Sequence, residues 1–129
     1  MSIIHGSAKE LKEGKFVIIE GEPCRVVEVQ SSAPGKHGAA KMRIVGVGVF
    51  DNTKRTLLKP GDADVEIPIV ERKVVQVISV SGDIAQVMDP KSYEVYEMPV
   101  PEEIKSEVEA GKEVEIMETM GRRMMLRVR

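Results

Sequence analysis

The residues of this 129-residue chain best placed to act on a partner lie between Ser31 and Lys41, in the run Ser-Ser-Ala-Pro-Gly-Lys-His-Gly-Ala-Ala-Lys. The run is longer than a tight hairpin needs and almost free of large apolar side chains, so it reads as a projecting loop. Pro34 fixes one backbone angle. Gly35 and Gly38 reach conformations closed to other residues and let a large partner approach the backbone, which leaves Lys36 sterically open on both sides. The same residues also fit an ordinary solvated loop with a surface lysine. A phosphate-binding P-loop fails, because the first glycine of Gly-x-x-x-x-Gly-Lys-Ser/Thr is missing and His37 follows the lysine. Ser31 or Ser32 with His37 has the residue types of a hydrolase pair, but no nearby carboxylate in the sequence orients the histidine. His5, His37 and Cys24 are the only nitrogen or sulfur candidates for a metal, and they do not cluster.

Charge points instead to an anionic partner. No acidic residue occurs between Glu28 and Asp51, while Lys36, Lys41 and Arg43 all fall in that gap. The net charge of −2 argues against a general nucleic-acid binder, yet residues 1–70 hold ten Lys/Arg against nine Asp/Glu (+1) and residues 71–129 hold nine against twelve (−3).

The elements that must hold this loop read as short strands. Hydrophobic residues make up 42% of the chain and charged residues 31%, a balance that supports an ordinary folded core. Aromatics are only 3%, so Val, Ile and eight Met must fill it. Apolar runs such as 44–50 and 74–80 are strand length, far short of a membrane span. The polar start, Met1 to Gly6, lacks the apolar stretch of a signal peptide, so a cytoplasmic protein without a membrane partner is expected. Cys24, the single cysteine, cannot form an intramolecular disulfide and is expected to be buried and inert.

Ser7-Ala8-Lys9-Glu10 has capping-box spacing and predicts one short helical turn ended by Gly14. Strands are expected over 16–19, 24–30, 41–50, 56–59 and 64–69, and Gly46 and Gly48 inside the third of these imply a bulge or a tight barrel corner. A boundary falls at residues 68–72. Beyond it, strands over 73–80, 84–89 and 93–98 precede a helix that starts at Pro101 and stops at Gly111. Strands over 113–117 and 123–128 then complete the strand and helix order of an OB-fold. Tyr93 and Tyr96, three apart in one strand, should face opposite sides. In the last strand Met124, Leu126 and Val128 alternate with Arg123, Arg127 and Arg129, which makes the arginines either a second basic strip or solubilising charge on an exposed strand.

Gly35-Lys36-His37-Gly38 followed by Ala40-Lys41, with Gly21-x-Pro23-Cys24-x-Val26 before it and Val45-Gly46-x-Gly48-x-Phe50 after it, resembles the translation initiation factor 5A family over nearly the whole chain. Ala33-Pro34 and the short amino terminus are similar to archaeal members, whereas eukaryotic ones usually carry Thr or Lys-Thr there and a second His in place of Ala39. The chain is much shorter than the three-domain bacterial relative, elongation factor P.

The resemblance implies an all-β protein with an N-terminal SH3-like barrel (1–69) carrying the loop and a C-terminal OB-fold (70–129) with one short helix. It implies that deoxyhypusine synthase transfers an aminobutyl group from spermidine to Lys36, giving deoxyhypusine or, after hydroxylation, hypusine. The implied partners are the ribosome near its exit site, ribosomal RNA and peptidyl-tRNA. The implied role is non-enzymatic: positioning the peptidyl-tRNA so that peptide bonds form at difficult sequences such as proline runs. The loop contacts are then Pro34, Gly35, Lys36, His37, Gly38, Lys41 and Arg43. Lys36, Lys41 and Arg43 could neutralise about three phosphates, at ~0.9 each in the salt exponent, so the loop alone should hold RNA weakly. The competing reading is a general RNA-binding or RNA-chaperone barrel with a bare Lys36; a ribonuclease using His37 comes third.

Overall fold

Val- and Ile-rich runs separated by Gly, Pro and Asp turns build eleven strands in a computed structural model that describes residues 3–32 and 41–129. They fall into two units, Met1–Ile69 and Val70–Arg129.

In the first unit β1 (Ile3–Ser7) pairs with β6 (Asp64–Pro68). β2 (Phe16–Ile19), β3 (Glu22–Ser32), β4 (Lys41–Gly48) and β5 (Lys54–Pro60) form an antiparallel sheet in chain order. Glu20 and Gly21 join β2 to β3 with φ of 54° and 80°, the double positive φ of a two-residue I′ hairpin whose twist suits the flanking strands. The strands alternate apolar residues inward, and Leu11, Val17, Ile19, Val26, Met42, Ile44 and Val65 close over the buried Cys24. This is the SH3-like barrel.

β1 was not legible as a strand. Ile3-Ile4-His5-Gly6-Ser7 has no alternation, and it becomes a strand because β6 pairs with it along five rungs. The expected turn after it is a three-residue 3₁₀ turn, Ala8–Glu10, with the Ser7 N–H donating to Glu10 Oε2 at 3.0 Å. The bulge expected at Gly46 and Gly48 lies across the ladder, in β3 between Val26 and Glu28. The glycines serve close approach instead. A Cβ on Gly46 would sit 2.8 Å from the Cys24 Cβ, and one on Gly48 would sit 1.9 Å from Asp51 Oδ1.

The second unit is a five-stranded antiparallel sheet of β7 (Glu71–Ser81), β8 (Ile84–Met88), β9 (Val95–Pro99), β10 (Glu113–Thr119) and β11 (Arg122–Val128), in the order β11-β10-β7-β8-β9. Val75, Val77, Val87, Met98, Val114, Ile116 and Met125 fill its interior. The sheet curls until its edge strands meet, and an OB-fold results.

The helix expected from Pro101 to Gly111 is reduced to one 3₁₀ turn, Glu102–Ile104, followed by further turns. Glu103 and Glu107 stand four apart with like charge, no basic residue lies in the last turn, and a helix this short has little intrinsic stability. The segment still buries Val108 and half-buries Ile104. The third strand also starts later than expected. Asp89 Oδ1 accepts from the Lys91 and Ser92 N–H groups and the Asp89 carbonyl from Tyr93 N–H, so Tyr93 belongs to a turn with φ 62°.

Candidate nucleic-acid interface

The ladder between β3 and β4 ends with Ser32 opposite Lys41, so the connection of residues 33–40 leaves and returns at one rung. Pro34, Gly35, Lys36, His37 and Gly38 lie in that connection, outside the described residues, and with them the Ser–His pairing to His37. Lys41 and Arg43 are exposed on β4. Arg43 Nη1 donates to Glu28 Oε2 at 3.1 Å, so part of its charge is answered within the sheet. Lys41 has no ion pair among the described residues.

Next to this rung the ends of β3, β4 and β5 enclose a cleft of about 750 Å³, lined by Gln30, Ser32, Lys41, Met42, Leu58 and Lys59 among others. Register puts Arg43 beside Leu58 and Met42 beside Lys59. Leu58 is 70% exposed although it sits in a strand. Lys59, like Lys41, has no ion pair among the described residues. Sequence reading missed Lys59 and Leu58 as site residues because they are distant from the loop in the chain; only the β4–β5 register joins them to it.

The far end of β4 is held by charge. Arg55 grips Asp51 with two hydrogen bonds, Nη1 to Oδ1 at 3.2 Å and Nη2 to Oδ2 at 2.9 Å, and its Nε lies 3.5 Å from Glu20 Oε2. The Arg55 hydrogen bond, assisted by the Thr53 N–H, holds the Asp51 carboxyl down at about 2. Burial raises the Cys24 thiol above its ordinary value, which keeps it protonated and unreactive.

The arginines of β11 do not form one face. A bulge opposite Glu115/Ile116 makes Leu126 the extra residue, and Met125 packs in the core where Met124 and Leu126 were expected. The pleat phase therefore changes between Arg123 and Arg127. Arg123 shares the side of Ile116 and Met125: its guanidinium lies 3.9 Å from the Tyr96 ring centroid and pairs with Glu118 and with Glu94 at 3.5 Å. Glu118 also takes the Lys73 ammonium at 2.7 Å. Burial alone would raise the Glu118 carboxyl, but the hydrogen bonds from Lys73 and Arg123 outweigh it and hold it below the usual range. Arg127 faces the other way and lies 3.5 Å from Glu115. Arg129 is exposed beyond the strand end.

Two family models match in tandem: "Translation initiation factor 5A-like, N-terminal" over residues 4–63, and "Eukaryotic elongation factor 5A hypusine, DNA-binding OB fold" over residues 69–129. This chain belongs to the translation initiation factor 5A family. Among curated 5A factors, that of Korarchaeum cryptofilum is 49% identical, with 100% of this chain and 98% of the relative covered. That of Pyrobaculum aerophilum is 52% identical, with 100% and 96% covered. The solved structure of the Methanococcus jannaschii 5A factor superposes with a TM-score of 0.93 at 41% identity, over 99% of this chain and 96% of that one. A 5A-family protein from Naegleria fowleri gives 0.83 at 28% identity, covering 100% and 99%. The all-β layout, an SH3-like barrel followed by an OB-fold, is thus the family's own. Among the described residues of this 5A chain no helix is long and apolar enough to cross a membrane.

Proposed function

We propose that this 5A factor binds the ribosome near its exit site and uses Lys36, extended to deoxyhypusine or hypusine, to order the acceptor end of peptidyl-tRNA. The observation that carries the reading is Lys36 within Gly35-Lys36-His37-Gly38, in the connection between β3 and β4 of a chain that matches 5A family models in both halves. A lysine is a flexible stem with a strongly hydrated point charge, and an added aminobutyl group lengthens it and supplies a second amine. Such an arm fits between phosphates and the sugar backbone, where contacts position without reading sequence. The factor's own contribution is then positioning. It holds the peptidyl-tRNA end in a reactive geometry when the nascent chain, for example a proline run, does not, and needs no acid, base or nucleophile of its own. Deoxyhypusine synthase with spermidine is the modifying system, and the cytoplasm the site of action.

Peptide mass analysis of the segment spanning Lys36, from protein isolated from its native host, tests this. A mass gain matching deoxyhypusine or hypusine is expected. An unmodified Lys36 in that material would sink the mechanism in favour of a general RNA-binding barrel. Lys36→Arg, which keeps a cation, should preserve the fold and lose stimulation of peptide-bond formation.

A further inference from the structure

We propose that the cleft at the ends of β3, β4 and β5 seats a phosphodiester strand of RNA, with Lys59 and Lys41 as its cationic sides and Leu58 as an apolar rest for a sugar or base. This deepens the RNA-facing reading above and does not depend on modification of Lys36.

Three observations lead to it. The cleft, about 750 Å³, opens beside the Ser32–Lys41 rung from which the loop departs. Its two lysines have no ion pair among the described residues, whereas Arg43 is answered by Glu28 and Arg55 by Asp51. Lys41 pairs across the ladder with Pro60 and Lys59 with Met42, so the two lysines stand on successive rungs and leave opposite faces of the sheet. A strand crossing the end of the sheet meets one ammonium on each side. Leu58 adds apolar surface that stays 70% exposed, and a ribose or a base face covers such a surface without needing hydrogen bonds. Among the described residues no acidic side chain lines the cleft. Positive flanks around an apolar rest match a phosphate backbone with its sugars and bases. An acidic peptide would answer the lysines equally well but has no comparable use for Leu58.

The consequence is a revised charge count. With Arg43 compensated and Lys59 added, the cations that the cleft itself offers to RNA are Lys41 on β4 and Lys59 on β5.

The experiment measures binding of a fluorescently labelled transfer RNA to the full chain with Lys36 unmodified, across a series of salt concentrations. Lys59→Gln is expected to weaken binding several-fold and to lower the salt exponent by roughly 0.7 to 0.9, the loss of one phosphate contact. Leu58→Ser should weaken binding with the exponent unchanged. Lys54→Gln, an equal charge loss at the other end of β5, should change neither. The proposal is overturned by a Lys59→Gln exponent equal to that of Lys54→Gln, or by no RNA binding of the parent protein even at the lowest salt. It is also overturned if Lys59→Gln binds RNA normally but is no longer modified at Lys36 in the native host, which would make the cleft a protein-docking surface. A bare Lys36 in native protein would count against the modified-lysine mechanism alone and leave the exponent difference standing.

Discussion

Gly48 and Asp51 illustrate how single residues hold the loop-bearing sheet in shape. The Asp51 carboxylate occupies the space where a Cβ of residue 48 would project, and Arg55 fixes it there. Gly48→Ala must therefore displace the pair, and a loss of about 1–3 kcal/mol in urea unfolding is expected from such overpacking. Asp51 also gives the fold an acid limit. Its carboxyl is depressed from 3.8 to about 2, so its stabilising contribution is complete above the unfolded value and disappears as pH falls through about 2. Thermal melts between pH 2 and pH 5 should show the parent losing its advantage over Asp51→Asn across that window; a constant difference would count against the assignment. Gly46 and Gly48 were legible as special positions because glycine inside a strand is costly without a reason. The reason itself was hidden, since it depends on Cys24 and Asp51 arriving from the neighbouring strand and turn.

Strands were the legible elements, for a physical reason: alternation and turn residues are local, so β2, β4, β8 and β10 can be read from windows of a few residues. What failed depends on partners distant in the chain. β1 exists through β6, the segment after Pro101 yields its helix to like charges and to the burial of Val108, and β11 changes phase at a bulge. That last error matters for function, because it divides Arg123 from Arg127 and Arg129. Arg123, Glu118, Lys73, Glu94 and Tyr96 tie β11 to β9 and β7, closing the barrel where its sheet has edges. Arg123→Gln should lower stability by about 1 kcal/mol, since the group is partly solvated, and should leave the salt exponent of RNA binding unchanged. Arg127→Gln is the contrasting variant, because its side chain faces outward. A fall in the exponent for Arg123→Gln would restore it to the RNA-facing set.

On the scale of the whole molecule, each unit carries its own closed core, one around Val17 and Ile44 and the other around Val77 and Ile116. Ile116→Ala empties a fully buried site and should cost about 2–5 kcal/mol. Hydrogen exchange should then rise across residues 70–129 and remain unchanged across the first barrel. Equal acceleration in both units would show that they unfold as one. The charge asymmetry between the halves was readable from composition, and it makes the first barrel the more basic of the two units. The cleft beside the loop was not readable, because it is assembled from three strands that share no local motif.

The last rung of the β3–β4 ladder has one further consequence. Because Ser32 and Lys41 face each other, the eight residues between them are a tether with both ends fixed at one point. Nine links of at most roughly 3.6 Å each, out and back, limit its midpoint to about 16 Å beyond the rung. Deleting a residue pair from this connection lowers that upper limit by about 3.6 Å, while the core residues named above all lie outside 33–40.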